Sequence, residues 1–512
     1  MNERIKAEIT DNARYYNLAL DVVEFYYGKG QLEQSLDLTM QTTLFAMYNF
    51  CGFYSDARVE SFLRKVSAEI SIIKTEPTKP IDTAKKLKIL HVSTEVYNTG
   101  GHTRGILRWI QTDTTNYHDV ILTDQSLDTP DFFTESIYKC NGQLYVFSNK
   151  NTFHERISFL RNISGNYDVI ILHHQPNDII PVIALTHGNS IPVAIVDHAD
   201  YFFGVGSSMC DCLVELRENM LELNKTRRCA QNVFFLPIVL LPKQESFSKQ
   251  DAKTKLGLEN KTIIVSIGNY FKFTPTPDKN FFEDIIPILN KHTDSHLIVI
   301  GVSSESALGI KYKHPSITYV GLTKDIELYK YACDIYAECY PISSQGAVLE
   351  VAALGKPILL AYDPSPLQQY YVSAYTYKMT APASRAEWQN TLELWVTDTV
   401  ARAKVGEKIY DNINSHHIGN NWIPYVNSFY NYILRLKHNL RPILPTVKLY
   451  SRNEEDLVIL LKNLNFPHPY LMGYLQGLPF KLKLKIIFSK YSFNLHSAKL
   501  FVYYILGIKE KT

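Results

Sequence analysis

Two series of short, nearly continuous apolar runs constrain the fold of this 512-residue chain most strongly. The first series comprises the runs 87–92, 119–122, 168–172 and 192–196. The second comprises the runs 262–267, 297–301, 317–320, 335–338 and 357–360. Short β-branched runs separated by helical stretches are typical of parallel strands that are buried on both faces and joined by crossover helices. The sequence therefore predicts two open α/β units in tandem, with ligands bound in a cleft at the carboxyl ends of the strands.

Changes in composition along the chain predict four regions. Residues 1–85 combine helix-periodic apolar positions with a linker, 86–244 and 245–438 hold the two α/β units, and 439–512 form a basic, aromatic, helical tail. A basic amphipathic tail can lie on an anionic membrane surface, which gives a candidate membrane contact through 479–512. The alternative, which we favour, is a helical cap packed on the body with its lysines in water.

The bulk composition argues against several classes of protein. A formal charge of +2 does not suit a strongly basic nucleic-acid binder. Seven scattered cysteines do not form a disulfide framework, and the Cys210-x-Cys212 pair lacks the second pair expected of a zinc site. The N-terminal stretch has no apolar signal-peptide core, and no run of about 18 apolar residues occurs. We therefore expect a cytoplasmic protein that reaches, at most, the inner face of the membrane.

Strand ends in the first unit carry glycines, histidines and an acid. Gly100-Gly101-His102 follows the first strand and opens a helix, where a backbone can approach an anionic ligand closely. His102 can take a proton near neutral pH, although a turn-capping histidine is the alternative. His198 and Asp200 follow the strand at 192–196, as ligand contacts or as parts of a satisfied polar loop. His173-His174 ends another strand, and we prefer sugar contacts to metal ligation because no compact metal motif is present.

The second unit contains a lysine loop and a glycine-containing helix start. Lys272 follows the first strand of this unit and can neutralise a diphosphate without a metal, unless it is simply a solvated loop lysine. At 338–358 a strand ends, a turn follows, and a short helix carries Glu350. The N–H groups near Ser344, Gln345 and Gly346 can hold phosphate oxygens, and Glu350 can accept hydrogen bonds from ribose hydroxyls. The alternative is a plain crossover with a surface glutamate.

This last segment resembles the donor-binding strand-loop-helix of GT-B glycosyltransferases. Residues 349–357 match the second half of that motif, and 320–334 are similar to its lead-in. The resemblance covers about residues 87–435 and implies two Rossmann-like domains. It also implies a nucleotide-sugar donor in the C-terminal domain, an acceptor mainly on the N-terminal one, and a closing helix within 405–437 that crosses back to the first domain.

The chain combines features of two subfamilies. The GT-4 pattern has a first glutamate at the position of Ile342, and the shorter turn at 343–346 is more similar to inverting enzymes. Residues 100–102 and 269–275 resemble segments of inverting and GT-41 enzymes, whereas Asp197-His198 is similar to GT-4 enzymes. The stereochemical outcome stays open, with a slight lean to inversion, and the composition suggests a bacterial source.

The resemblance implies a metal-independent glycosyltransferase with no cofactor beyond its nucleotide-diphospho-sugar donor, most simply UDP-linked. The group transferred would be a hexose or N-acetylhexosamine, and the acceptor a glycan, a lipid-linked sugar or a protein. The predicted catalytic residues are His102, His198 and Asp200. The predicted donor-binding residues are Gly101, Lys272, Ser344, Gln345, Gly346 and Glu350. The alternatives are a GT-B-like sugar-nucleotide epimerase and a non-catalytic scaffold that binds partners through the helical N-terminus and basic tail.

Overall fold

Three helices form the N-terminal region of the computed structural model. The structure describes residues 3–70, 86–98, 100–228, 230–243, 247–364, 375–377, 379–436, 442–448, 452–462, 471–475 and 477–491. The helices are α1 (Glu3–Gly28), α2 (Leu32–Tyr48) and α3 (Ala57–Glu69). Asp56 begins α3 because its carboxylate accepts from the Val59 N–H at 3.1 Å. The predicted helical region is present, and the linker at 71–85 lies outside the described residues.

A seven-stranded parallel sheet forms the first α/β domain, in the order β3-β2-β1-β4-β5-β6-β7. Its elements are β1 (Lys88–Ser93), α4 (Gly101–Thr112), β2 (Tyr117–Leu122), α5 (Asp131–Lys139), β3 (Leu144–Val146), α6 (Phe153–Ser164), β4 (Val169–Leu172), α7 (Ile180–Thr186), β5 (Val193–Asp197), β6 (Cys212–Glu215), α8 (Leu221–Arg227) and β7 (Val233–Phe235). The four predicted runs correspond to β1, β2, β4 and β5. The sequence analysis did not predict β3, β6 and β7, which have three or four residues each.

A five-stranded parallel sheet, in the order β10-β9-β8-β11-β12, forms the second domain. Its elements are α9 (Lys249–Lys255), β8 (Thr262–Ile267), α10 (Phe281–Lys291), β9 (Ser295–Ile300), α11 (Ala307–Lys311), β10 (Ile317–Gly321), α12 (Ile326–Ala332), β11 (Ile335–Ala337), α13 (Gln345–Ala352), β12 (Ile358–Leu359), α14 (Arg385–Thr397) and α15 (Thr399–His417). All five predicted runs are strands. Each buried aliphatic side chain contributes about 1.5–3 kcal/mol to the free energy of folding. The strands are therefore firmly held, and they fix the positions of the loops at their carboxyl ends.

The chain then crosses back to the first domain through α16 (Ile423–Ile433). Val426 and Phe429 of this helix share an apolar core with β1 and β4. Just before α16, the Trp422 indole donates to the backbone oxygen of Pro237 at 2.6 Å. Helix α16 therefore confirms the predicted closing helix.

The tail packs on the N-terminal helices as far as it is described. It contains α17 (Arg452–Lys462) and α18 (Phe480–Ile487). Ile486 and Ile487 are buried, and the hydroxyl of Tyr26 in α1 donates to the backbone oxygen of Tyr474 at 2.6 Å. The remainder of the candidate membrane contact, residues 492–512, lies outside the described residues. Within the described ranges, every helix is too short or too polar to span a bilayer.

Candidate functional site

A cavity of about 410 Å³ lies between the two domains at the carboxyl ends of both sheets. This inter-domain cavity is where two facing α/β sheets bind ligands. Eight of the nine predicted site residues line it: Gly101, His198, Asp200, Lys272, Ser344, Gln345, Gly346 and Glu350. The ninth, His102, lies behind the wall, with its ring centroid 4.4 Å from that of His198. The fold therefore brings together residues from four separate segments of the chain: the start of α4, the loop after β5, the loop after β8, and α13 with the turn before it.

The turn before α4 places His102 beside the cavity. Gly100 adopts a φ of 116°, which favours glycine, and α4 begins at the next residue. The Nε2 atom of His102 lies 2.6 Å from the backbone oxygen of His173. A carbonyl oxygen only accepts, so Nε2 carries the ring proton and Nδ1 keeps the lone pair.

His102 is a neutral imidazole with one nitrogen available to accept a proton. Burial, reinforced by His198, lowers the pKa of His102 to about 3. In the described part of the chain, its buried Nδ1 atom makes no hydrogen bond to protein. Nδ1 is therefore the ring nitrogen of His102 that can accept a proton, and it lies buried behind the cavity wall.

His198 and Asp200 lie at the end of β5 on the first-domain wall. Burial lowers the pKa of His198 to about 4, and its Nδ1 lies 3.3 Å from the backbone oxygen of Val196, which leaves Nε2 as the acceptor. The Asp200 carboxylate pairs with the buried guanidinium of Arg217. Burial raises the pKa of Asp200, and Arg217 opposes that shift. Asp200 thus anchors Arg217 beneath the wall while it lines the cavity.

Lys272 joins the loop after β8 to the loop before α13. Its ammonium donates to the Ser343 backbone oxygen at 2.8 Å and to the Ser344 hydroxyl at 3.1 Å. Burial lowers the pKa of Lys272, whereas nearby Cys339 and Glu338 act in the opposite direction. The ammonium is therefore held at the cavity wall, beside the first residues of α13.

Glu338 lies buried under the same loop. The Ser343 hydroxyl donates to one oxygen of the Glu338 carboxyl, and the Ala361 N–H donates to the other at 3.0 Å. Burial raises the pKa of Glu338 to about 7. This carboxyl supports the loop from beneath and titrates near neutral pH.

Glu350 carries an ion-pair cluster that joins the two domains. Its carboxylate accepts from Arg108 of α4 and from Lys330 of α12, and Arg104 of α4 lies 3.7 Å away. Burial would raise the pKa of Glu350, but Lys330 and Arg108 outweigh it and lower the pKa to about 2. Glu350 is therefore an anion whose two oxygens already have partners.

The sequence analysis did not identify these three cations. Arg104 and Arg108 are four residues apart on α4 and therefore share one helix face, the spacing that could have revealed them. Arg104 also lines the cavity. Among the described residues, no group of three or more histidine, cysteine, aspartate or glutamate side chains is arranged to hold a metal ion.

Comparisons with known proteins find similarity in structure and not in sequence. No protein-family model and no curated protein matches the chain. A mutant of the O-GlcNAc transferase of Thermobaculum terrenum aligns at a TM-score of 0.55, with 11% identity over 83% of this chain and 82% of that one. A glycosyltransferase from Rickettsia africae aligns at a TM-score of 0.54, with 13% identity over 68% of this chain and 99% of that one. HepE of Anabaena, in complex with UDP and glucose, aligns at a TM-score of 0.51, with 13% identity over 68% of this chain and 100% of that one.

The class defined by this architecture is the GT-B fold. Two parallel α/β sheets face one cleft and the chain crosses back at its C-terminal side, as the sequence predicted. At identities of 11–13% the similarity to these neighbours concerns the fold. The roles of the individual site residues stay predictions that rest on the geometry described above.

Proposed function

We propose that this chain is a glycosyltransferase that moves a sugar from a UDP-sugar to a hydroxyl acceptor without a metal ion. The observation that carries the proposal is the composition of the inter-domain cavity wall. It combines the N-terminus of α13, the ammonium of Lys272 and the carboxylate of Glu350 with His198 of the opposite domain, behind which His102 lies. The GT-B neighbours, one in complex with UDP and glucose and another an O-GlcNAc transferase, support this reaction class.

The diphosphate of the donor would bind between the two domains. The N–H groups of Gln345 and Gly346 at the start of α13 are suited to phosphate oxygens, and Lys272 adds a positive charge. From the other side, Gly101 at the start of α4 and the guanidinium of Arg104 line the cavity. Positive groups from both domains would stabilise the charge that develops on the leaving diphosphate.

The ribose of the donor would bind at Glu350. Arg108 and Lys330 hold the carboxylate ionised and in one orientation. Each carboxylate oxygen has more than one acceptor site, so ribose hydroxyls can donate to Glu350 while these cations stay in contact. A pre-oriented acceptor of this kind reduces the entropy lost on binding.

The transfer would be a single displacement at the anomeric carbon. The acceptor oxygen attacks that carbon, its proton passes to Nδ1 of His102, and the carbon–oxygen bond to the diphosphate breaks with its electron pair going to UDP. His198 and Asp200 would contact the transferred sugar. The bound diphosphate favours the imidazolium form, so the pKa of His102 rises in the complex. One displacement inverts the anomeric configuration.

The test is a panel of nucleotides and nucleotide sugars presented to the purified chain. Isothermal titration should show UDP binding, and UDP release from one UDP-sugar should increase when glycan, lipid-linked sugar or peptide acceptors are added. Full activity in the presence of EDTA is expected for a metal-independent enzyme. A folded chain that binds no nucleotide would indicate a scaffold. Consumption of the donor to give an epimeric sugar nucleotide would indicate an epimerase, and either outcome rejects the proposal.

A further inference from the structure

A buried row of three histidines leads away from His102 through the first domain. The Nε2 atom of His173 lies 3.0 Å from Nδ1 of His91, and the Nε2 atom of His91 lies 2.9 Å from Nδ1 of His118. The Nε2 atom of His118 lies 3.0 Å from the backbone oxygen of Asp113 and 3.3 Å from its carboxylate. All four side chains are at most 4% exposed. We call these four residues the histidine row.

Asp113 sets the direction of every hydrogen bond in the histidine row. A carbonyl and an ionised carboxylate only accept, so His118 donates through Nε2, and a His118 ring that carries one proton then accepts at Nδ1. A neutral imidazole has one N–H, so His91 must in turn donate through Nε2, and His173 likewise. Burial lowers the pKa of both His91 and His173 well below the usual value, so each ring is neutral and carries a single proton. One tautomer is therefore specified for each histidine.

The histidine row contacts His102 by two routes. The first is the backbone oxygen of His173, which accepts the Nε2–H of His102 at 2.6 Å. The second is Trp109, which lies on α4, the helix that carries His102. The Trp109 ring packs edge-on against His91 and His173, at centroid distances of 5.7 and 5.8 Å. The residue that supplies the acceptor of His102 and the helix that carries His102 are thus both in contact with the buried rings of the histidine row.

Helix α16 contacts the histidine row at its Asp113 end. The Trp109 indole donates to the hydroxyl of Tyr430 at 2.8 Å, and that hydroxyl donates to the Asp113 carboxylate at 2.8 Å. Tyr430 lies on α16 and is buried. Buried polar groups cost free energy unless they are hydrogen-bonded, and in this row each ring has a partner. Apolar side chains would pack at these positions without such a requirement, so the polar row calls for a functional reason.

We infer that His91, His118 and Asp113 are positioning residues that act through His173 to hold His102 as the Nε2–H tautomer. In that tautomer the lone pair is on Nδ1, the nitrogen available to the acceptor hydroxyl. The catalytic use of His102 rests on the proposed function. The tautomer assignments rest on the distances, the donor rules and the single proton on each ring given above, and not on catalysis.

The test replaces the central ring in two ways. His91→Met removes both hydrogen bonds, whereas the amide of His91→Gln can still donate and accept. The matched control is His417→Met, which removes a buried histidine of the second domain whose Nδ1 lies 2.8 Å from the Ile238 backbone oxygen. For each variant kcat, donor KM and Tm are measured. Nitrogen NMR of histidine-labelled protein reports the tautomers, with the His102 signal assigned by its loss in His102→Gln.

We expect His91→Met to lower kcat by about tenfold or more, since a misplaced base loses part of its contribution of about 10²–10⁴-fold. Donor KM should change less than about twofold, because the donor site is not touched. His91→Gln should recover most of kcat, and His417→Met should keep it. The NMR signal of His102 should shift from the Nε2–H tautomer toward a mixture in His91→Met only.

Two results would overturn the inference. One is a wild-type spectrum in which His91, His118 or His173 is protonated on Nδ1, which can be read even if His91→Met does not fold. The other is a His91→Met protein with wild-type kcat and an unchanged His102 signal. The spectra require no turnover, so a chain with the predicted tautomers but no sugar transfer would reject the proposed function and not the tautomer assignment.

Discussion

Arg108, in the first domain, donates a hydrogen bond to the carboxylate of Glu350, in the second, across 242 positions of sequence. Lys330 contacts the other carboxylate oxygen and Arg104 lies nearby, so three cations surround one anion at the edge of the cavity. The Arg108–Glu350 pair joins the two domains, and it also keeps ionised the carboxylate that is predicted to bind ribose. The two functions can be separated by substitution.

Glu350→Gln should raise the donor KM by about 10-fold to 100-fold, the range expected when a charged hydrogen bond of about 1.5–3 kcal/mol is lost. The amide cannot balance three cations, and it accepts fewer ribose hydrogen bonds. The measurement is donor saturation kinetics together with UDP titration. Glu327→Gln is the matched control because Glu327 also pairs with Lys330 but is half exposed. An unchanged KM in Glu350→Gln would contradict the ribose role.

Lys272→Met should lower kcat by about 10²–10³-fold, since a pre-organised positive group near a developing anion contributes about that much. Methionine keeps much of the side-chain volume and removes the charge. Single-turnover measurements of UDP release give the rate of the chemical step. Lys261→Met, which removes an ammonium that donates to the Thr293 backbone oxygen, is the control. A Lys272→Met enzyme with wild-type turnover would reject the leaving-group assignment.

His102→Gln should lower kcat/KM by about 10²–10⁴-fold, the contribution of a general base. The pKa of free His102 is lowered to about 3, so the ring is already deprotonated at pH 5. The ratio of wild-type to His102→Gln kcat/KM should therefore stay constant from pH 5 to pH 8. Activity is measured across this range with saturating acceptor. If this ratio instead decreases as the pH is lowered, with a midpoint near pH 6.5, His102 titrates as an exposed histidine does.

Glu338→Gln should change the pH dependence of stability. Burial raises the pKa of Glu338 in the folded chain to about 7, from its ordinary value of 4.5. Between these values the folded state holds a proton that the unfolded state has lost. The stabilisation present below pH 4.5 is therefore lost as pH rises to 7, with a slope of at most about 1.4 kcal/mol per pH unit.

Glutamine does not titrate, so the stability of Glu338→Gln relative to wild type should increase by about 2 kcal/mol between pH 5 and pH 8. Urea unfolding of both proteins at the two pH values measures this difference. Equal differences at pH 5 and pH 8 would mean that Glu338 keeps an ordinary pKa in the folded chain.

Much of the fold was predictable because parallel strands that are buried on both faces need continuous apolar residues. Every apolar run named from the sequence is a strand. Helix α13 was predictable for a similar local reason. A turn precedes the helix, and Gly355, with a φ of 71°, lies in the turn just after it. By contrast β3, β6 and β7 were missed although the equally short β11 and β12 were predicted, so strand length alone does not decide whether a strand can be recognised.

The site was only partly predictable, because its contacts join residues that are distant in sequence. Glycine turns and strand-end polar residues leave a local pattern, and eight of the nine predicted site residues line one cavity. The partner of Asp200, the buried Arg217, leaves no such pattern. The cations around Glu350 are also invisible until α4 of one domain meets α13 of the other.

The sequence by itself determined the two α/β units and the residues at the strand ends, because hydrophobic periodicity and turn chemistry are local properties, whereas the crossing helix was implied by the family resemblance. Only the tertiary structure decided how those residues are paired. His91 and His118 sit on β1 and β2, and His173 directly follows β4; their rings meet because the sheet order places β2, β1 and β4 side by side. Distances between side chains on different strands depend on strand order and register, which a single sequence does not display.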